Sequence, residues 1–148
     1  MSLIYKFKKE KLEDGTFVRR PRILVALQGR FTTIEVPALI DSGCDITVIP
    51  EGIANAIGLK ISGKTTKLYA YREATDVVES SATITLLGRA NRESTTITIP
   101  VLIARSKQSV IDDCDITLGV SGIFDFFDIT FKKNENKIIL QKSLKQNL

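Results

Sequence analysis

Ala38-Leu39-Ile40-Asp41-Ser42-Gly43-Cys44-Asp45-Ile46-Thr47-Val48-Ile49-Pro50 is the stretch on which the reading of this chain turns. Three apolar residues deliver an Asp at the end of a strand-like run, Ser and Gly turn the chain at once, and apolar residues resume from Ile46. Taken alone, Asp-Ser-Gly reads as a turn closing a strand, with Asp and Ser bonding their own backbone. Outward from it the period is mostly two. Residues 22–27 and 32–36 read as a hairpin across Gln28-Gly29-Arg30, and residues 67–71 and 77–78 flank a polar tip. Residues 82–87 and 95–99 alternate on either side of 88–92, and 129–131 face 137–140 across 134–136. The period changes only at Pro50, read as a first helical position, with Ile53, Ala54 and Ile57 at helical spacing and Gly58 as the stop. Residues 119–127 suit a second short helix with Ile123, Phe124 and Phe127 on one side. With 148 residues and no linker or repeat, the expectation is one domain, all-β with one or two short helices. An N-terminal extension of about residues 1–20 and a basic C-terminal hairpin and tail of about 128–148 flank its body.

Composition narrows the chemistry. The chain has no histidine, so Ser-His and Cys-His nucleophile pairs and His-ligated metal sites are excluded, and carboxylates or lysines must move any protons. Two cysteines, Cys44 and Cys114, are too few for a disulfide framework or a four-thiolate zinc site, and read as free thiols in a reducing compartment. No apolar run approaches the roughly 18 residues of a membrane span. The expectations are therefore a cytoplasmic protein with no membrane partner, no metal and no cofactor. The net charge of +4 is matched by residues 132–148, which carry five Lys against one Glu. The body is then neutral in sum, the basic excess reads as a solvated tail, and no nucleic-acid partner is expected.

A competing motif is Gly58-Leu59-Lys60-Ile61-Ser62-Gly63-Lys64-Thr65, a literal match to the phosphate-cradling G-x-x-x-x-G-K-T pattern. That loop works when a strand precedes it and a helix follows, so that free N–H groups at the helix start point at the phosphates. Here a helix precedes Gly58 and β-branched and aromatic residues follow. Cys44 lacks a His or charged activator and reads as a small filler. Asp112, Asp113 and Asp115 fit no calcium-loop spacing and read as an acidic turn.

The string from Ala38 to Pro50 closely resembles the active-site segment of retroviral-like (retropepsin-type) aspartic proteases: apolar-apolar-Asp-Thr/Ser-Gly-Ala-Asp, then Thr and apolar residues. Asp115-Ile116-Thr117-Leu118-Gly119 resembles the apolar-apolar-Gly element that packs under the catalytic loop in that family. With the hairpin pattern the resemblance spans about residues 20–140. It implies a closed or nearly closed barrel, active as a symmetric homodimer, and an aspartic endopeptidase in which Asp41 of each subunit meets its mate to activate water. Ser42, Gly43, Leu118 and Gly119 would then support the loop. Gly43, Asp45 and, on a flap hairpin from 67 to 80, Tyr69 and Tyr71 would meet a peptide or unfolded-protein substrate.

The chain departs from the family twice. The flap tip Arg72-Glu73-Ala74-Thr75-Asp76 is charged and lacks glycine, and Val120 stands where retroviral members carry a bracing Arg. Two rival readings stand beside the protease: a non-catalytic peptide-binding or assembly module on the same fold, and a nucleotide-binding protein built on Gly58–Thr65.

Overall fold

A computed structural model describes residues 2–70, 73–88, 93–105 and 115–144. Among the described residues, each run of alternation contains a strand. β1 (Ser2–Tyr5), β2 (Lys8–Lys11) and β3 (Phe17–Arg20) precede the hairpin of β4 (Arg22–Gln28) and β5 (Thr33–Ile40), and β6 (Thr47–Pro50) leads into helix α1 (Glu51–Ile57). β7 (Thr65–Ala70), β8 (Glu73–Leu87) and β9 (Ser94–Ala104) follow, then β10 (Ile116–Leu118), β11 (Phe127–Lys132) and β12 (Lys137–Lys142).

Seven of these strands form one sheet in the order β4-β5-β10-β6-β9-β8-β7, and β4 also pairs with β8, so the sheet closes into a ring. The long strand β8 makes this possible. Along one edge it pairs first with β7, from Glu73 to Val78, and then with β4, from Thr83 to Leu86, while β9 lines its other edge. Side chains of alternate residues point inward: Ile23, Val25 and Leu27 of β4, Ala38 and Ile40 of β5, Ile84 and Leu86 of β8, Ile99, Val101 and Ile103 of β9, all at most 3% exposed. Each such aliphatic side chain stabilises the fold by roughly 1.5–3 kcal/mol on burial. A second sheet, β1-β12-β11, packs Leu3, Ile138 and Leu140 into the same core, and β2 and β3 form a two-stranded sheet that pairs with no other strand among the described residues.

Two local expectations need correction. Pro50 is extended (φ −60°, ψ 143°) as the last residue of β6, and the helix begins at Glu51, because a fixed φ near −65° suits both conformations and ψ decides between them. Gly58 does end the helix, at φ 83°, its N–H donating to the Ala54 carbonyl. The segment 119–127 is not a regular helix. Only one irregular turn, Val120–Phe124, forms, broken by extended Ser121 and by Gly122 at φ 97°, and Phe127 opens β11. The cause is tertiary: the Ser121 N–H donates to the Asp45 carbonyl, which holds the chain extended at the point where a helix would have to start.

Candidate active site

Asp41 is the first residue past β5, half-buried, and its position is fixed by strands distant in sequence. β10 lies parallel to β5, with Leu118 opposite Ile40, and the Asp41 N–H donates to the Leu118 carbonyl at 3.1 Å. β10 also touches β6, where Thr117 pairs with Val48, so one three-residue strand holds both ends of the loop between them. Within the loop the Cys44 N–H donates to the Asp41 carbonyl (3.2 Å) and the Gly43 N–H donates to Asp41 Oδ1 (2.8 Å). A Cβ at position 43 would come within 3.2 Å of that oxygen, so glycine is what lets the amide approach. The bland Asx-turn and the chemical loop are thus the same geometry. Ser42 is exposed, with no hydrogen-bond partner for its hydroxyl among the described residues.

The far side of the loop is tied down as firmly. The Val120 and Ser121 N–H groups donate to the carbonyls of Cys44 and Asp45, each at 2.8 Å. The Gly119 N–H donates to Thr47 Oγ1 at 3.0 Å, and Thr47 is fully buried. A side chain on Gly119 would run into Ile46 and Thr47 backbone atoms at 2.5–2.8 Å, which is why this position beneath the loop carries none. Thr47 was not singled out in the sequence, although it stands within the quoted string. A hydroxyl-bearing residue amid an apolar run was the available signal. Burial, and secondarily the Asp41 charge, push the Cys44 thiol up from its usual range, and Cys44 Sγ donates to the Ile46 carbonyl at 3.0 Å. The thiol is therefore protonated at neutral pH, consistent with a filler and not a nucleophile.

A cavity of about 400 Å³ opens beside Asp41. Gly43, Cys44 and Asp45 of the loop line it, together with Val48 of β6, Leu102 of β9, Thr117 of β10, and Leu68 and Tyr69 of the β7–β8 hairpin. Tyr69 is 73% exposed and available to a ligand. Lys67 and Asp76 face each other across that hairpin as an ion pair, and the pairing raises the Lys67 pKa. Tyr71, Asp112, Asp113 and Cys114 lie outside the described residues. Asp115 pairs with Arg22 at 3.2 Å.

The phosphate-loop lookalike is built the wrong way round for its chemistry. Residues 58–64 follow α1 and lead into β7, so no helix start points into the loop. Gly63 instead lets the loop lie flat on β8, where a Cβ would stand 2.0 Å from the Glu79 carbonyl oxygen. The Glu79 N–H donates to the Lys64 carbonyl there, and Ser80 Oγ donates to that of Lys60. No helix among the described residues is long and apolar enough to cross a membrane, and no group of three His, Cys, Asp or Glu among them is placed to hold a metal ion.

No protein-family model and no curated protein sequence matches the chain. Solved structures do. A retropepsin-like aspartic protease from Rickettsia conorii superposes with a TM-score of 0.52 at 15% identity, covering 95% of this chain and 90% of its own. The retroviral protease-like domain of Ddi1 from Leishmania major gives 0.54 at 10% identity, covering 88% and 98%. At such identities the likeness is one of fold.

Proposed function

We propose that this chain, whose fold is retropepsin-like, is an aspartic endopeptidase that works as a symmetric homodimer, with Asp41 from each subunit forming the acid/base pair. The observation that carries the reading is the Asp41-Ser42-Gly43 loop at the end of β5, braced by β10 and Gly119 and open to a cavity with apolar walls. One copy supplies one such loop. A peptide bond hydrolysed without His, thiolate or metal needs a carboxylate to take a proton from water and an acid to protonate the carbonyl oxygen. Two carboxylates held about 3 Å apart cannot both ionise, so a pair related by a twofold axis shares one proton and divides the two roles.

In this reading one Asp41 carboxylate accepts the proton of a bound water as its oxygen attacks the scissile carbonyl carbon. The partner's Asp41, protonated, donates to the carbonyl oxygen, giving a tetrahedral diol. Collapse of the diol returns a proton to the departing nitrogen and restores the singly protonated pair. Gly43 keeps its N–H on the Asp41 oxygen, which fixes the carboxylate plane. Ser42, exposed beside the loop, is free to reach the opposite loop. Asp45 receives main-chain N–H groups of an extended substrate laid along the cavity, as strand-addition sites do. Val48, Leu68 and Leu102 suit an apolar side chain. The reaction takes place in the cytoplasm, on a peptide or unfolded-protein substrate, and the sheet ring serves as a closed barrel that carries the loop.

Asp41→Asn tests this directly. It keeps side-chain volume and removes the pair, so cleavage of an unstructured protein substrate between about pH 3 and 7 should fall by at least 10²–10⁴-fold while the fold and the dimer persist. A wild-type protein that cleaves nothing in that window would leave the peptide-binding module as the reading.

A further inference from the structure

Summed along the sequence, charge cancels over the body of this chain; folding separates it. The register of β2 and β3 sets Lys9 opposite Arg19 and Lys11 opposite Phe17, and the two-residue period of strands puts these four side chains on one face. All four are exposed. Phe17, an aromatic residue 58% open to solvent, stands with Lys9 Nζ 4.4 Å from its ring centroid. The opposite face carries Glu10, Val18 and Arg20, which are half-buried, and Lys8, which is exposed at the start of β2. Two carboxylates of this segment are engaged away from that face: Glu10 holds Arg20 and, at 2.6 Å, Arg22 on the inner face, and Asp14 at the turn accepts the Thr16 N–H and hydroxyl; Glu13 stands exposed in the turn, outside both strands. What the ribbon presents outward is three cations around a solvent-exposed aromatic ring, with no carboxylate at the strand positions of that face, on a sheet that pairs with no other strand among the described residues.

We propose that this outward face of β2–β3 binds single-stranded nucleic acid, Lys9, Lys11 and Arg19 meeting phosphates and Phe17 stacking on an unpaired base. Cationic grooves combined with stacking rings are how single strands are held without sequence readout. Charge complementarity selects a polyanion, and the exposed ring selects one with flat, unstacked groups. An anionic membrane fits less well, because the strand positions of this face carry a single aromatic ring and no aliphatic side chain to enter the acyl region. The surface does not involve Asp41, so it stands or falls apart from the proteolytic reading.

The test is fluorescence anisotropy of a labelled 20-nucleotide mixed-sequence single strand titrated with the full chain across a salt series. Saturable binding is expected, and the triple change Lys9→Gln, Lys11→Gln, Arg19→Gln should weaken it at least tenfold and flatten the log-affinity against log-salt slope by about two, as three lost phosphate contacts require. Phe17→Ala should weaken it about fivefold or more while leaving the slope nearly unchanged. Both variants alter only exposed side chains, and melting curves check that they fold; Asp41→Asn should bind as wild type does. Absent binding at low salt, or binding indifferent to the ribbon variants, would overturn the proposal. So would phosphatidylserine vesicles or polyglutamate binding in place of the single strand with the same dependence on Lys9, Lys11 and Arg19.

Discussion

Tyr5 Oη is the one buried side-chain polar atom among the described residues that has no hydrogen-bond partner, and burial pushes the pKa of Tyr5 up to about 12. An unsatisfied buried hydroxyl is a liability. Tyr5→Phe should therefore raise stability, by about 1 kcal/mol, in urea unfolding at pH 7. The pH dependence has a definite sign. The unfolded chain releases this proton near pH 10 and the folded chain only near 12, so the folded form holds the proton more tightly, and stability present below pH 10 is lost as the pH rises towards 12. Melting temperatures from pH 9 to 12 should fall more steeply for wild type than for Tyr5→Phe. A parallel pair of curves would show that the hydroxyl has solvent access. Burial shifts the Cys44 thiol in the same upward direction, and because it stays protonated at neutral pH the proposed proteolysis should survive Cys44→Ala, as initial rates on an unstructured protein substrate would check.

The short strand β10 contributes more to the site than its three residues suggest, since it joins β5 to β6 and delivers Gly119 beneath the loop. Its connection to β6 is completed by a buried hydroxyl, and Thr47→Val, of the same shape, would leave the Gly119 N–H buried and unpaired at a cost of about 1–3 kcal/mol. On the proposed proteolytic reading, turnover should fall further than stability alone explains, with Thr47→Ser restoring both, as measured by urea unfolding and initial rates. This element also marks how far the sequence could be read. The β4–β5, β7–β8, β8–β9 and β11–β12 hairpins, and α1 with its Gly58 stop, were legible because period and turn chemistry are local. A three-residue strand has no period to detect, and Ile116–Leu118 was found only through its resemblance to a family element. β1 escaped altogether, because its partner β12 lies at the other end of the chain. In residues 119–127 the apolar spacing points to a second short helix; one forms at Val120–Phe124, but the contact to the Asp45 carbonyl and the φ of Gly122 make it shorter and irregular. Asp41, Gly43 and Tyr69, each named from the sequence, line one cavity, whereas the brace from Thr47 has no local signal beyond a hydroxyl amid apolar residues.

For the molecule as a whole, the proposed twofold mechanism leaves half an acid/base pair on each chain and makes activity a property of association. Sedimentation at micromolar concentration should show a dimer, and activity per chain should decline on dilution through its dissociation constant. A monomer with undiminished activity would refute the twofold mechanism. The sheet joining the chain's two ends carries a different consequence. The Phe7 N–H donates to Asn136 Oδ1 across 129 positions of sequence, and Leu3, 2% exposed in the finished fold, is covered by the strand that follows. During synthesis at about 5–20 residues per second, β1 waits on the order of ten seconds for that cover to leave the ribosome. Through this interval the nascent chain carries an unpaired apolar strand, so synonymous codons that slow translation between positions 120 and 140 should lower soluble yield without changing a single amino acid.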